Sequence, residues 1–354
     1  MRTNRLPTVA WLTVILTAWG ASAPAAEIDR CLPDDTLAVL SVNVKQLLHA
    51  PLFKKHAARH LDQLCQHGAA RTLLDGLGIN PLKDIDRLTA ACTGPEDGAC
   101  VVVCRGRFDT AKFHAYLRKA AKEDGKRVKL RKAGEWKCYE VVFGGQGKHG
   151  SLMVGSGLKS TGAPVFTWKQ TGSLFDRGTA YVVLADKNTL VVASSLDGLT
   201  AACARAARAD KPARGTALRE LLDDLDGKQT VCFAVGGRGF SKKPAGEEEQ
   251  EEAPQQKLDS LSGSITVKDG IEFRCTLTAC DADGAQAAMK VLNDLRTRAT
   301  GLATVLAGTQ KQYAFLKEVP KAFVATRKGA TVLMEGRLSA ELLDKLAALG
   351  KKAD

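Results

Sequence analysis

The chain alternates strand pairs with helices four times, and this pattern constrains the fold more than any other feature. Each unit has two apolar, β-branched runs joined by a short polar turn, followed by a helix with an Asp or Ser start signal. The four helices are expected after Asp109, after Asp197, after Asp281 or Asp283, and after Ser339. Hairpins followed by helices predict an α+β fold: a mostly antiparallel sheet with the helices packed on one face.

Two single strands divide this pattern into topologically similar halves. They lie at residues 37–44 and 230–235, ahead of the first and third units. We therefore expect a first half at 32–210 and a second at 211–354, each a mostly antiparallel sheet built from a lone strand plus two strand-strand-helix units. Residues 241–257, near the start of the second half, are too polar and acidic to bury, which predicts a disordered insertion.

The long helix after Asp283 carries an apolar stripe. Its members recur at steps of four and three residues: Ala288, Leu292, Leu295, Ala299, Leu302 and Leu306. Such a stripe predicts packing of the helix on the sheet, with packing against a partner helix as the alternative.

Residues 1–25 have the order of a secretory signal peptide. Two arginines precede an apolar run at 8–19, and small residues ending in Ala23-x-Ala25 follow it. The run is shorter than the roughly 20 residues that span a bilayer. The sequence therefore predicts export to the periplasm or the cell exterior, without a transmembrane segment in the mature chain. It leaves the oligomeric state open.

Positive charge is concentrated in one segment of the chain. The whole chain has 51 lysines and arginines against 39 aspartates and glutamates, a net charge of +12. Residues 105–137 alone hold twelve of these cations and four acids. Such a segment favours anionic partners, and for an exported protein these are envelope polysaccharide or lipid headgroups rather than nucleic acid.

Within this segment we expect a hairpin that turns at Ala133-Gly134. Counting outward from that turn pairs Arg131 with Trp136, Lys129 with Cys138 and Arg127 with Glu140. An arginine beside a tryptophan, with a lysine next along, forms a candidate platform for a phosphate, sugar acid or carboxylate. We therefore assign a candidate anion-binding site to Arg127, Lys129, Arg131 and Trp136. The alternative is an ordinary solvated strand face.

Ten cysteines in an exported chain predict disulfide bonds. Cys92 and Cys100 flank a turn at residues 94–98 and should lie nearly opposite each other, so they are the best candidate pair. Buried thiols are the alternative for any of the ten. No Cys-x-x-Cys motif occurs, which argues against a thioredoxin-like site or a zinc knuckle.

His56 and His60 lie one helical turn apart, the spacing that lets two imidazoles share a metal ion. A third ligand is not evident in the sequence, since Asp62 points elsewhere on the helix. The alternative is that both histidines lie at the edge of an amphipathic helix. Apart from this candidate metal site, we expect no cofactor.

Three segments resemble uncharacterised exported bacterial proteins of the domain-of-unknown-function type. They are a Pro-Asp start at 33–34, a Gly-Ile-Asn-Pro segment at 78–81 followed by Asp-Ile at 84–85, and a Phe-Asp-x-x-Lys helix start at 108–112. The resemblance covers about the first 200 residues and implies no reaction.

The sequence offers no catalytic motif with the spacing that its chemistry requires. The glycine-rich segment 144–162 lacks the spacing of a phosphate-binding loop, and no Gly-x-Ser-x-Gly or His-Glu-x-x-His motif occurs. The predicted function is therefore an exported, non-catalytic scaffold or binding protein. The alternatives are a hydrolase or transferase with a site assembled near 144–162, and a metal-handling module at His56 and His60.

Overall fold

The computed structural model describes residues 31–33, 35–66, 68–93, 100–142, 178–207, 218, 220–221, 228–236 and 258–350. Within these residues twelve strands form one sheet. They are β1 (Ala38–Val42), β2 (Ile85–Cys92), β3 (Cys100–Gly106), β4 (Val128–Ala133), β5 (Trp136–Val142), β6 (Thr179–Asp186), β7 (Thr189–Ala193), β8 (Val231–Gly236), β9 (Leu258–Val267), β10 (Ile271–Ala279), β11 (Phe323–Lys328) and β12 (Thr331–Leu338).

Nine α-helices and two 3-10 helices accompany the sheet within the described residues. The α-helices are α1 (Val44–His49), α2 (Pro51–His56), α3 (Ala58–Gln66), α4 (Gly68–Leu77), α5 (Pro81–Asp84), α6 (Thr110–Glu123), α7 (Leu196–Ala207), α8 (Ala282–Thr309) and α9 (Ala340–Gly350). The 3-10 helices are Lys311–Glu318 and Pro320–Ala322.

The sheet runs in the order β11-β12-β10-β9-β8-β1-β2-β3-β7-β6-β5-β4. Its neighbouring strands pair antiparallel throughout, which confirms the predicted α+β class with a large antiparallel sheet. β1 pairs with β8, from Ala38 opposite Val235 to Val42 opposite Val231. The strands before residue 210 and those after 211 therefore share one sheet, where the sequence predicted a sheet in each half.

Helices cover both faces of the sheet, so the prediction that they pack on one face is wrong. Val101 and Val103 of β3 belong to a core cluster with residues of α7, whereas Cys104 belongs to a second cluster with Phe113 and Leu117 of α6. The reason lies in β3 itself. Its first five residues are apolar without alternation, and a strand apolar on both sides has two faces to cover.

We call these two sides the α7 face and the α6 face. The cross-strand register carries the α6 face from Cys100 through Cys92, Ala38, Val235 and Leu261 to Leu277. Leu277 packs with residues of α8, so α8 and α6 lie on the same side of the sheet.

The apolar stripe of α8 lies in two different environments, the first part against the sheet and the next part in solvent. Ala288 and Leu292 pack on the sheet, as predicted. From Asp294 to Leu302 every residue is exposed, and the Leu302 side chain is 62% accessible. The sheet-packing prediction is therefore right for the first part of the stripe and wrong for Leu295, Ala299 and Leu302.

Most predicted helix start signals are confirmed. Asp109 caps α6 and Asp281 caps α8, each by accepting a hydrogen bond from a backbone N–H three residues on. Ser339 caps α9 in the same way. For α7 the expected cap, Asp197, lies inside the helix, and the Ser195 hydroxyl accepts from the Gly198 N–H at 3.1 Å instead.

Several predictions fall on residues outside the described part of the chain. These are the signal peptide at 1–25, the glycine-rich segment 144–162 and the acidic insertion 241–257. Among the helices that are described, none combines the length and the apolar character needed to cross a membrane.

Candidate anion-binding surface

The β4–β5 hairpin turns one residue later than the sequence predicted. Ala133 pairs with Trp136, which leaves Gly134 and Glu135 as the two turn residues. Gly134 has a φ of 62°, a conformation that glycine adopts without the steric cost a Cβ would bring. The glycine therefore takes the first turn position, and Ala133 remains in the strand.

This shift changes the partner of each cation. Arg131 lies opposite Cys138 and Lys129 opposite Glu140, so the predicted pairs of Arg131 with Trp136 and Lys129 with Cys138 are wrong. Arg127 lies before β4 and forms an ion pair with Asp124, with Nε 3.4 Å from Oδ2, rather than facing Glu140. The predicted arginine–tryptophan platform is not formed, because a shift of one residue in the turn moves each pairing by two.

Glu140 holds both strand cations on the α7 face. Its carboxylate lies 2.7 Å from Arg131 Nε and 3.7 Å from Lys129 Nζ, and its side chain is only 12% exposed. Hydrogen bonding and charge attraction from Glu140 raise the pKa of Arg131. Trp136 is half-buried against the core cluster beneath α7. Of the predicted site, two cations thus share an acid and the tryptophan contributes to packing.

On the opposite side of the same hairpin lie cations that have no acidic partner within the part of the chain that the structure describes. Lys132 pairs with Lys137 across the strands, on the α6 face with Leu130 and Tyr139. Among the described residues, no carboxylate forms an ion pair with Lys132, Lys137 or Arg118 of α6. We call Arg118, Lys132 and Lys137 the unpaired cations. The sequence did not single out Lys132 and Lys137, because the predicted turn pairs Lys132 with Glu135 and Lys137 with Leu130 rather than the two lysines with each other.

His114 and Tyr139 lie beside the unpaired cations. The His114 Nδ1 is 3.1 Å from the Tyr139 hydroxyl, and the two ring centroids are 5.9 Å apart. Partial burial lowers the pKa of His114, and the positive charges of Arg118 and Lys137 lower it further. Burial raises the pKa of Tyr139. The electrostatic environment of this imidazole is therefore dominated by cations.

The predicted metal pair lies elsewhere in the fold. His56 Nε2 is 2.8 Å from Asp344 Oδ1 of α9, and Lys55 Nζ is 2.6 Å from Oδ2 of the same carboxylate. Both contacts lower the pKa of Asp344. The side chain of His60 lies outside the described part of the structure, and no group of three or more metal-ligating side chains forms within that part. Asp344 was not a candidate in the sequence, because it lies 288 positions from His56.

Cys92 and Cys100 lie directly opposite each other on β2 and β3, as predicted. Their thiols are hydrogen-bonded, which lowers the pKa of Cys92 and, together with burial, raises the pKa of Cys100. The disulfide between them stays a prediction. Burial raises the pKa of three further thiols, Cys104, Cys203 and Cys275, to about 11.

A shallow cavity of about 360 Å³ lies between the 3-10 helix Lys311–Glu318 and α9. Among the described residues, its lining consists of two lysines, a glutamine and apolar side chains.

Comparisons with known proteins give no family assignment. No protein-family model matches the chain, and no curated protein matches it. Among solved structures, crystal form I of TP0453 aligns with a TM-score of 0.42 and 12% identity, over 94% of this chain and 99% of that one. Crystal form III of TP0453 aligns with a TM-score of 0.43 and 11% identity, over 91% and 99% of the two chains. A likeness this distant carries no inference about this chain.

Proposed function

We propose that this chain is an exported, non-catalytic α+β scaffold that binds an anionic polysaccharide of the cell envelope. The observation that carries the proposal is the set of unpaired cations, Arg118, Lys132 and Lys137, on the α6 face. A cation that is already paired with a carboxylate gains little additional electrostatic attraction from a new anion. An unpaired cation has no such competing carboxylate and attracts the anion more strongly. Contact is expected through this face rather than through Lys129 and Arg131.

A heparin column tests the proposal with two matched double variants. Lys132→Gln with Lys137→Gln and Lys129→Gln with Arg131→Gln each remove two positive charges from the same hairpin. The first should elute at clearly lower salt, and its affinity should fall less steeply with salt, by roughly two units of the log–log slope. The second variant should elute at a salt concentration close to that of wild type, because Lys129 and Arg131 are already paired with Glu140.

Equal elution of wild type and the Lys132–Lys137 variant would overturn the proposal. Elution of both double variants at the same reduced salt would also overturn it, since net charge alone would then account for binding. Sedimentation with anionic phospholipid vesicles provides the comparison with lipid headgroups. Binding to vesicles with none to heparin would replace polysaccharide by a membrane surface.

Export belongs to the same proposal, and so does the resemblance to exported bacterial proteins. Export rests on the leader at residues 1–25. Mass-spectrometric reading of the native protein should find a first residue at Ala26 or Glu27. A terminus at Met1 or Arg2 in a cytoplasmic fraction would contradict export.

We further propose that the halves 32–210 and 211–354 are topological equivalents. Outward from the β1–β8 junction, one side runs β1-β2-β3-β7-β6 and the other β8-β9-β10-β12-β11. Each side is a lone strand, a hairpin, and a second hairpin in reversed order. The antiparallel pairing of β1 with β8 is compatible with a twofold axis perpendicular to the sheet, and such an axis keeps α6 and α8 on one face. The β4–β5 hairpin is then an addition to the first half, at the sheet edge.

A further inference from the structure

His114 is held in a defined position beside the sheet. Its neighbour Phe113 is 1% exposed and makes an edge-to-face contact with Tyr139, with ring centroids 6.2 Å apart. This packing fixes the start of α6 over β5. The hydrogen bond between His114 Nδ1 and the Tyr139 hydroxyl then sets the plane of the imidazole. His114 is half-buried and its Nδ1 is engaged by Tyr139, so the second ring nitrogen, Nε2, is the one that can meet a ligand.

Two permanent cations from two different elements lie beside this ring. Arg118 follows His114 by one helical turn, and its Nε donates to the His114 carbonyl oxygen at 3.1 Å, which draws the guanidinium back along the helix. Lys137 precedes Tyr139 by two residues on β5, so the two side chains share the α6 face. Neither cation has an ion pair with a carboxylate among the described residues.

We propose that His114, Arg118 and Lys137 form a subsite for an oxyanion with two negative charges, a phosphate monoester carried by the anionic partner. Arg118 and Lys137 balance the two charges. When the Tyr139 hydroxyl donates to Nδ1, the imidazole proton resides on Nε2 and donates to an oxyanion oxygen. The subsite rests on the proposed function and adds to it the chemical class of the recognised group.

The subsite has a signature that general surface attraction lacks. The charged and titratable groups facing His114 are Arg118 on its own helix, and Lys137 and Tyr139 from β5. A dianion between them would offset the repulsion from both cations and raise the pKa of His114, by roughly one unit. By linkage, a dianion that does not itself titrate in this range, such as inorganic sulfate, should then bind more tightly as the pH falls through the titration of His114.

Imidazole NMR on the full chain tests the subsite, with the His114 resonances assigned by His114→Gln. At constant ionic strength, the pKa of His114 should rise on adding inorganic phosphate or sulfate and should stay unchanged with acetate. Lys137→Gln should abolish most of the rise, while Lys129→Gln, on the other face, should leave it intact. No rise with either dianion, or an equal rise with acetate, would overturn the subsite.

Two further arms separate the sources of the oxyanion and the two proposals. A sugar phosphate such as glucose 6-phosphate should shift the pKa of His114 if the group is a phosphorylated sugar, and vesicles containing phosphatidic acid should shift it if the group is a lipid phosphate. If heparin retention depends on Lys132 and Lys137 while none of the added anions changes the pKa of His114, the result supports the polymer-binding function and contradicts the subsite. If neither responds, both fall.

Discussion

Gly263 of β9 offers a sharp test of the sheet packing, through the single substitution Gly263→Ala. A Cβ at this position would lie 2.5 Å from the ring of Phe233 on β8 and 2.6 Å from the carbonyl oxygen of Arg274 on β10. Both distances are roughly 1 Å shorter than a favourable contact. The ring can rotate away, but the carbonyl belongs to the neighbouring strand and moves only if the strand moves. We expect Gly263→Ala to lower the free energy of unfolding by about 1–3 kcal/mol.

Gly301 provides the matched control, because it lies on the exposed part of α8 and a Cβ there meets nothing within 4 Å. Gly301→Ala should stabilise the protein by about 0.5–1 kcal/mol through helix propensity alone. Urea unfolding followed by circular dichroism measures both variants against wild type. The packing argument is refuted if Gly263→Ala is as stable as wild type, or if the two variants shift stability in the same direction.

Further predictions concern Cys92 and Asp344. In protein that has first been reduced, a brief exposure to iodoacetamide at neutral pH should modify Cys92 before Cys100, because their hydrogen bond lowers the pKa of the first thiol and raises that of the second. Equal labelling in peptide mass spectrometry would contradict this. In freshly exported protein the same pair should form a disulfide, and thiol counting under denaturing, non-reducing conditions should find fewer than the ten thiols of the chain. Lys55 and His56 lower the pKa of Asp344, so its contribution to stability is present above the ordinary aspartate pKa and is lost as the pH falls through the lowered one. Thermal unfolding should therefore separate Asp344→Asn from wild type at pH 6 and not at pH 2, and a difference that persists at pH 2 would assign the effect to packing.

The β4–β5 hairpin shows which parts of the candidate site could be predicted from the sequence. It located the basic segment and the hairpin correctly, because charge and strand patterning are properties of nearby residues. It misplaced the turn by one residue, and this error paired Arg131 with Trp136 instead of Cys138. Since side chains alternate between faces, the register also decides which cations meet Glu140. His114 and the cations around it gave no signal in the sequence, because α6 and β5 meet only in the folded chain.

The helix starts show the same difference between local contacts, which the sequence predicts, and distant contacts, which it does not. Asp109, Asp281 and Ser339 could be identified from the sequence, because a cap accepts a hydrogen bond from a backbone N–H only three residues away. Asp344 could not be identified as the partner of His56, because nothing local connects residues 288 positions apart.

The two lone strands and the four strand-strand-helix units were determined by the sequence itself, through period-two and helical apolar patterns and through cap chemistry. The tertiary structure alone decided that both halves join one sheet, that helices cover both its faces, and which cations remain without a carboxylate. The physical reason is range. Hydrogen bonding and side-chain periodicity within an element act over a few residues and are written in the local sequence. Strand pairing and charge compensation depend on which distant segments become neighbours, and that is settled by burying the apolar faces of the whole chain together.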